Sequence, residues 1–370
     1  MKKKLIILLF FNSLLFILFS YKHVDAYGFP GGDGLTSETS YQIKSCEDLQ
    51  AITGVGRGFY FSLENNIDCS DTVNWNDGAG FIPIGYTYDN ESGGYGEKGF
   101  SLDFDGNGYT ISGLYINLPT YDYVGLFGGV GYADLPTNIR DVKLDNFSIV
   151  GNDYVGGLIG RISNANIENI STSGNIVGND YVGGLIGEII EFVEIIDSYS
   201  EISANGDENV GGLVGLSDGG FISGAYSVGD INGRQNVGGL VGWLYSGENL
   251  SSIINTYSTS DVSGEDTVGG LIGYNERGYV YNSYSIGSVS GDIYTGGVIG
   301  AIDYLDGEDY TDFVFNMGWY RRQSNDDLSA IGEIYYYSAE HGDIYGGPQN
   351  VSYTESDPTA FYSSNHDIYK

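Results

Sequence analysis

The sequence predicts an all-β protein, a parallel β-solenoid in which short strands coil and each coil stacks on the next, with a right-handed β-helix as the expected form. Three observations predict it. A glycine-bounded hexad recurs through the middle of the chain, a second landmark keeps a fixed distance from it, and the residues between them suit short strands and tight turns. VGLFG stands at 124–128, VGGLIG at 155–160 and 182–187, VGGLVG at 210–215 and 237–242, VGGLIG at 268–273 and TGGVIG at 295–300. Their starts lie 31, 27, 28, 27, 31 and 27 residues apart, a period that belongs to stacked repeats. A propeller blade needs about 40–50 residues, so the spacing favours the solenoid.

The second landmark is a dipeptide ending in serine. Phe147, Ile170, Tyr199, Tyr226, Tyr257 and Tyr284 are each followed by Ser, and each pair precedes a hexad. From Tyr199 onward the distance to the hexad is always eleven residues, whereas the stretch from a hexad to the next tyrosine varies. In a parallel stack equivalent residues fall one above another at about 4.8 Å, so these six positions are expected to form one ladder that stabilises the coil. The paired glycines are expected at a corner too tight for a Cβ. Glycine at this density, about 1 kcal/mol worse than alanine at each helical position, also argues against helix.

The chain then divides in order. Residues 1–26 combine a basic start (Lys2, Lys3, Lys4), an apolar run from Leu5 to Ser20 and small residues before Ala26, the pattern of a secretory signal peptide. Residues 27–123 are read as an N-terminal capping module with the first coils. Ser45 followed three residues later by Asp48 predicts a short capped helix there. Cys46 and Cys69 are the only cysteines, and in an exported chain they are expected to form a structural disulfide worth about 3 kcal/mol. Residues 124–300 are the repeat array. Residues 301–370 lose the hexad and carry Tyr335, Tyr336 and Tyr337 in a row, as a C-terminal Tyr-rich cap.

The repeated hexad resembles the GLUG motif, found in tandem on bacterial and archaeal surface proteins. Flanking segments add to the likeness: Tyr41-Gln42-Ile43, Asn66-Ile67-Asp68, Ile82-Pro83-Ile84-Gly85 and 104–111 resemble the module that often precedes such repeats. The resemblance covers roughly residues 30–300 and implies an exported, surface-associated solenoid, often part of an adhesin. GLUG repeats also occur in large IgA-cleaving metallopeptidases, whose chemistry lies in a separate domain with an HExxH motif. Beyond residue 26 this chain has just His341 and His366, in HGDIY and HDIYK, so that activity is not expected of it.

Charge narrows the partners. With 49 acidic and 15 basic residues, a formal charge of -34, the chain is unsuited to binding nucleic acid through phosphates. No segment after residue 26 reads as a membrane span. The alternating oxygens of Asp103, Asp105 and Asn107 suggest a calcium loop, but the twelfth position is Leu114 rather than Glu, and a turn explains them without metal. No catalytic residue, cofactor site or metal site is therefore assigned, beyond weak non-specific binding of divalent cations by the acidic surface. The expected function is a non-enzymatic adhesion or structural module, secreted or displayed at the cell surface, with an extracellular glycan or surface protein as partner. The alternative is a polysaccharide-active β-helix hydrolase or lyase. Tyr245, in one of the longer inter-coil stretches, is the candidate contact residue, because insertions in solenoids gather on one face.

Overall fold

The structure, a computed structural model, describes residues 28–55, 58–85, 101–131 and 136–303, together with short strands at 88–89, 94–95, 304–305, 314–315, 318–319, 331–337 and 344–346. The signal-peptide segment, His341 and His366 lie outside the described residues.

Successive coils pair in parallel. From residue 155 onward the first two residues of each hexad, Val-Gly or in the last copy Thr295-Gly296, lie in a strand of a six-stranded sheet: Val155–Gly156, Val182–Gly183, Glu208–Gly211, Gln235–Gly238, Asp266–Gly269 and Ile293–Gly296. Equivalent residues face one another in register, Val182 to Val210 to Val237 to Val268. A second sheet holds the strand that leaves each hexad and, beyond a bend, its continuation; a third holds the tyrosine-serine strands. The fold is thus the predicted parallel β-solenoid.

Pairing runs without interruption through the array and past both of its ends. Tyr41–Ile43 pairs with Phe59–Leu63, which pairs with Leu102–Asp105, and on to Thr137–Arg140. At the far end Ile299–Leu305 pairs in parallel with Ile331–Tyr337, which turns antiparallel to Ile344–Gly346.

The hexad fills the core. In each full copy the Val, the Leu and the following Ile or Val are fully buried, as in Val210, Leu213 and Val214 or Val268, Leu271 and Ile272. Burying each such side chain stabilises the stack by about 1.5–3 kcal/mol, and a single coil could not hide them alone. The second glycine has a specific reason. A Cβ on Gly212 would lie 2.0 Å from the Gly239 carbonyl oxygen of the next coil and 2.8 Å from the Ser227 Cβ.

That approach explains the fixed eleven-residue gap. Ser200, Ser227 and Ser285 are fully buried, and their hydroxyls donate to the carbonyls of Gly212, Gly239 and Gly297, each twelve residues ahead. Thr172 does the same to Gly184 at 3.0 Å. Changing the gap would strand a buried hydroxyl and a buried carbonyl together.

At the N-terminal end, Cys46–Ala51 is the expected helix, with a capping box between Ser45 and Asp48. Cys46 and Cys69 are joined by a disulfide that ties this helix to the turn Ser70–Asn74.

The predicted six-residue ladder needs correction. Tyr199, Tyr226, Tyr257 and Tyr284 do share one column, but Tyr199 faces Ser171, which in turn faces Lys143. Phe147 instead faces Gly174, beyond a register shift that follows Leu144, and is buried. Ile170 precedes its strand and is buried as well. The bulge displaces the aromatic side chain relative to the hexad: Phe147 and Ile170 stand eight and twelve residues before it, not eleven, whereas Ser171 stands at eleven.

Candidate functional site

Four aromatic rings in the tyrosine column stack nearly parallel. Tyr199 and Tyr226 lie 4.6 Å apart at 5°, Tyr226 and Tyr257 4.8 Å at 5°, Tyr257 and Tyr284 5.2 Å at 7°. The rings are half-exposed, on the outside of the sheet, while the adjoining serines point inward. Beside them the same outer face carries an open concavity of about 510 Å³, lined by short polar side chains such as Ser203, Asp230, Asp261, Asn232 and Ser263.

The face just past the hexads is built differently. The first residues after the hexads share one register column, which reads Arg161, Glu188, Leu216, Trp243, Tyr274 and Ala301, with Glu188, Leu216 and Ala301 buried and the other three partly exposed. Two residues further along each strand a second, partly exposed column contains Ile190, Asp218 and Tyr245, with Glu276 facing Asp303 beyond them. On the other side, the residue before each hexad takes the left-handed conformation. Tyr123, Tyr154 and Tyr181 have φ of 59°, Asn209 59°, Asn236 54°, Thr267 58° and Tyr294 47°. Such conformations are uncommon for bulky side chains and mark a constraint imposed by the corner.

This face has two clusters. In the first, Tyr123, Tyr154 and Tyr181 stack at 4.9 and 4.7 Å, and the Arg161 guanidinium lies 5.6 Å and 5.4 Å from the first two ring centres. Arg161 pairs with Glu188, Nε to Oε2, at 2.5 Å. Burial nevertheless dominates at Glu188 and pushes its carboxyl up to about 7, with Arg161 opposing and Asp218 adding to the rise. Burial likewise raises the phenol of Tyr154 above its ordinary range.

The second cluster surrounds Tyr245. Trp243 lies 5.7 Å from Tyr245 at 55° and 6.0 Å from Tyr274 at 35°, so these rings are tilted rather than stacked. The Arg277 guanidinium sits 5.5 Å from the Tyr245 ring centre and pairs with Glu276 at 3.3 Å. The Tyr274 hydroxyl bonds Asp303 at 3.3 Å. The longer stretch after Gly242 forms a loop at 246–250 that closes back on the face. Ser251 donates to the Tyr245 carbonyl at 2.6 Å and accepts from the Gly219 N–H at 2.8 Å. The Gly247 N–H reaches the Asp218 carboxylate, whose acidity is weakened by burial first and by Glu191 second. One oxygen of Asp218 and the Trp243 indole N–H are buried and have no hydrogen-bond partner among the described residues. Each costs on the order of 1–3 kcal/mol while unmatched.

Tyr245, the contact candidate in the sequence, ends the strand Val241–Tyr245 just before the 246–250 loop instead of lying within the insertion, and the structure gathers Trp243, Tyr274, Asp218 and Arg277 around it. Those four carry one signal in the sequence: each lies just after a hexad, where the strand has begun to alternate inward and outward. The residues of the suspected calcium loop are otherwise engaged: Asn138 donates to Asp103 at 2.5 Å, and Arg140 pairs with Asp105 at 2.6 Å. Among the described residues no group of His, Cys, Asp and Glu is arranged to hold a metal, and no helix is long and apolar enough to cross a membrane.

Fold and faces together define a repeat protein of the parallel β-solenoid class. No protein-family model matches the chain. It is similar to halomucin of Haloquadratum walsbyi, with 38% identity over 147 residues, which is 39% of this chain and 2% of halomucin. It is also similar to a "putative Gly-rich membrane protein" of Evansella cellulosilytica, 32% identical over 134 residues, covering 35% of this chain and 14% of that one. The chain thus spans a small part of the length of either relative. Among solved structures, a "putative immunoglobulin A1 protease" from Bacteroides ovatus superposes with a TM-score of 0.54 over 71% of this chain and 80% of the other, at 22% identity, a likeness of fold.

Proposed function

We propose that this protein is a non-enzymatic adhesion module of the cell surface, exported by its N-terminal signal segment and built from GLUG-type repeats, which holds an extracellular glycan or a surface partner against its solenoid. The observation that carries this reading is the cluster of tilted aromatic side chains around Tyr245, held on a stack of paired coils. Rings held by two neighbouring coils lose little freedom when a partner packs on them. The names of the two relatives, halomucin and a Gly-rich membrane protein, support a place at the cell surface. The strong negative charge supports a solvated exterior that resists self-association.

The test is display of the full chain on an otherwise non-adherent cell, followed by adhesion to immobilised polysaccharides and cell-surface extracts. Retention that depends on the displayed protein is expected. Equal retention of displaying and control cells would refute the reading.

One observation favours a second reading, a polysaccharide hydrolase. Glu188 keeps its proton to an unusually high pH, with Asp218 near it on the same face, and glycoside hydrolysis uses one protonated and one ionised carboxyl group. New reducing ends released by the wild type and abolished in Glu188→Gln would establish it.

A further inference from the structure

We propose that the cluster of Trp243, Tyr245, Tyr274 and Asp218 is a binding site for a pyranose ring of a neutral polysaccharide. This inference rests on the adhesion reading above and names the ligand class and its place.

The ring geometry carries the first part of the argument. In the tyrosine column the rings stack face to face at 4.6 to 5.2 Å, so that Tyr226 and Tyr257 have both faces covered. Around Trp243 the rings are tilted by 55° and 35°, so their faces are not consumed by one another. The apolar C–H face of a pyranose packs on such a surface, as apolar groups pack on aromatic faces generally. Arg277 covers part of the Tyr245 ring and fixes its orientation.

Unmatched polar atoms carry the second part. The Trp243 indole can only donate, and an Asp218 carboxylate oxygen can only accept; both are buried without a partner among the described residues. A sugar hydroxyl both donates and accepts, so one class of ligand satisfies the two together. The 246–250 loop is held to the Asp218 carboxylate by the Gly247 N–H.

Charge decides between neutral and acidic sugars. Asp218, Glu276, Asp303 and Glu191 act on this cluster, and Arg277, already paired with Glu276, is the cation set against them. A uronate or sulfated sugar would meet uncompensated carboxylates within a Debye length of about 8–10 Å.

The experiment is affinity electrophoresis of the full chain through gels containing a neutral glucan, a neutral mannan, polygalacturonate or alginate, with tryptophan emission recorded in solution alongside. Neutral polymer is expected to retard the wild type and shift its emission. Trp243→Ala or Tyr245→Ala should weaken retardation about tenfold, corresponding to about 1.4 kcal/mol. Trp243→Phe, which keeps a ring and removes the N–H, should weaken it by a smaller factor and lose the emission shift. Tyr226→Ala, in the stacked column, should bind normally. Should Trp243→Ala fail to fold, Tyr245→Ala and Trp243→Phe carry the test. Binding of the uronate polymers as strongly as the neutral ones would overturn the proposal. So would neutral binding that survives all three changes at the cluster, with the adhesion reading left standing. Cell adhesion without retardation by either neutral polymer also overturns the site while sparing that reading, whereas loss of both adhesion and retardation removes the two together.

Discussion

Two of the aromatic sets on the outside of this solenoid are built on opposite plans. The column from Tyr199 to Tyr284 repeats one residue in one register, its rings within 7° of parallel. The column from Arg161 to Ala301 changes residue at every coil, and its rings around Trp243 are tilted. Repetition lets each coil satisfy the next, so the first column spends its surface on the stack itself. Variation leaves surface unmatched by the neighbouring coil, and that is where a ligand gains most. In a repeat protein the departures from the repeat are therefore the places to look for function.

The largest expected effect breaks the scaffold both columns share. Gly212→Val places a Cβ against the Gly239 carbonyl, and because that obstacle is backbone, a loss of about 3 kcal/mol or more in chemical denaturation is expected. A loss under 1 kcal/mol would mean that the corner gives way easily.

Glu188 comes next. Its carboxyl sits at about 7 in the folded state against 4.5 in the unfolded chain. The folded protein therefore holds a proton that the unfolded chain has already released. The stabilisation is complete below pH 4.5 and is lost as pH rises through about 7, by about 3 kcal/mol in total. The difference in melting between wild type and Glu188→Gln, followed from pH 4 to 8, isolates this group from the other acids; a flat difference would contradict it. Reduction of the Cys46–Cys69 bond should cost about 3 kcal/mol at the N-terminal end and leave the aromatic faces unchanged.

Smaller effects sharpen the contrast. Ser227→Ala leaves the Gly239 carbonyl with only the long 3.5 Å bond from the Ser260 hydroxyl, for about 1 kcal/mol of stability and no change in sugar binding. Tyr226→Ala removes a ring stacked on both sides and should lose about 1 kcal/mol, measured by urea denaturation. If it instead abolishes binding and spares stability, the assignment of the two columns is reversed.

Much of the architecture was legible because the repeat is translational. The hexad gave the coil length, and the constant gap from tyrosine to hexad reflects the serine-to-glycine hydrogen bond. The helix cap at Ser45 was readable from two residues. The ladder through Phe147 and Ile170 was misread because side-chain type was matched in place of distance, and a bulge after Leu144 separates the two. Tyr245 was singled out for its long inter-coil stretch, but it ends the strand that precedes the 246–250 loop. Its companions share only their place shortly after a hexad, and nothing further marks them, because Trp243 and Tyr274 stand 31 residues apart and meet through register.

By itself, then, the sequence determined the coil: its length, its buried Val-Leu-Ile set, its glycine corner and its acidic exterior, all of which follow from periodicity and composition. Only the tertiary structure decided which residues of different coils share a column, how the rings tilt, and that Glu188 is buried beside Arg161. Those depend on a bulge here and a four-residue insertion there, and a shift of one position moves a side chain from the core to the surface.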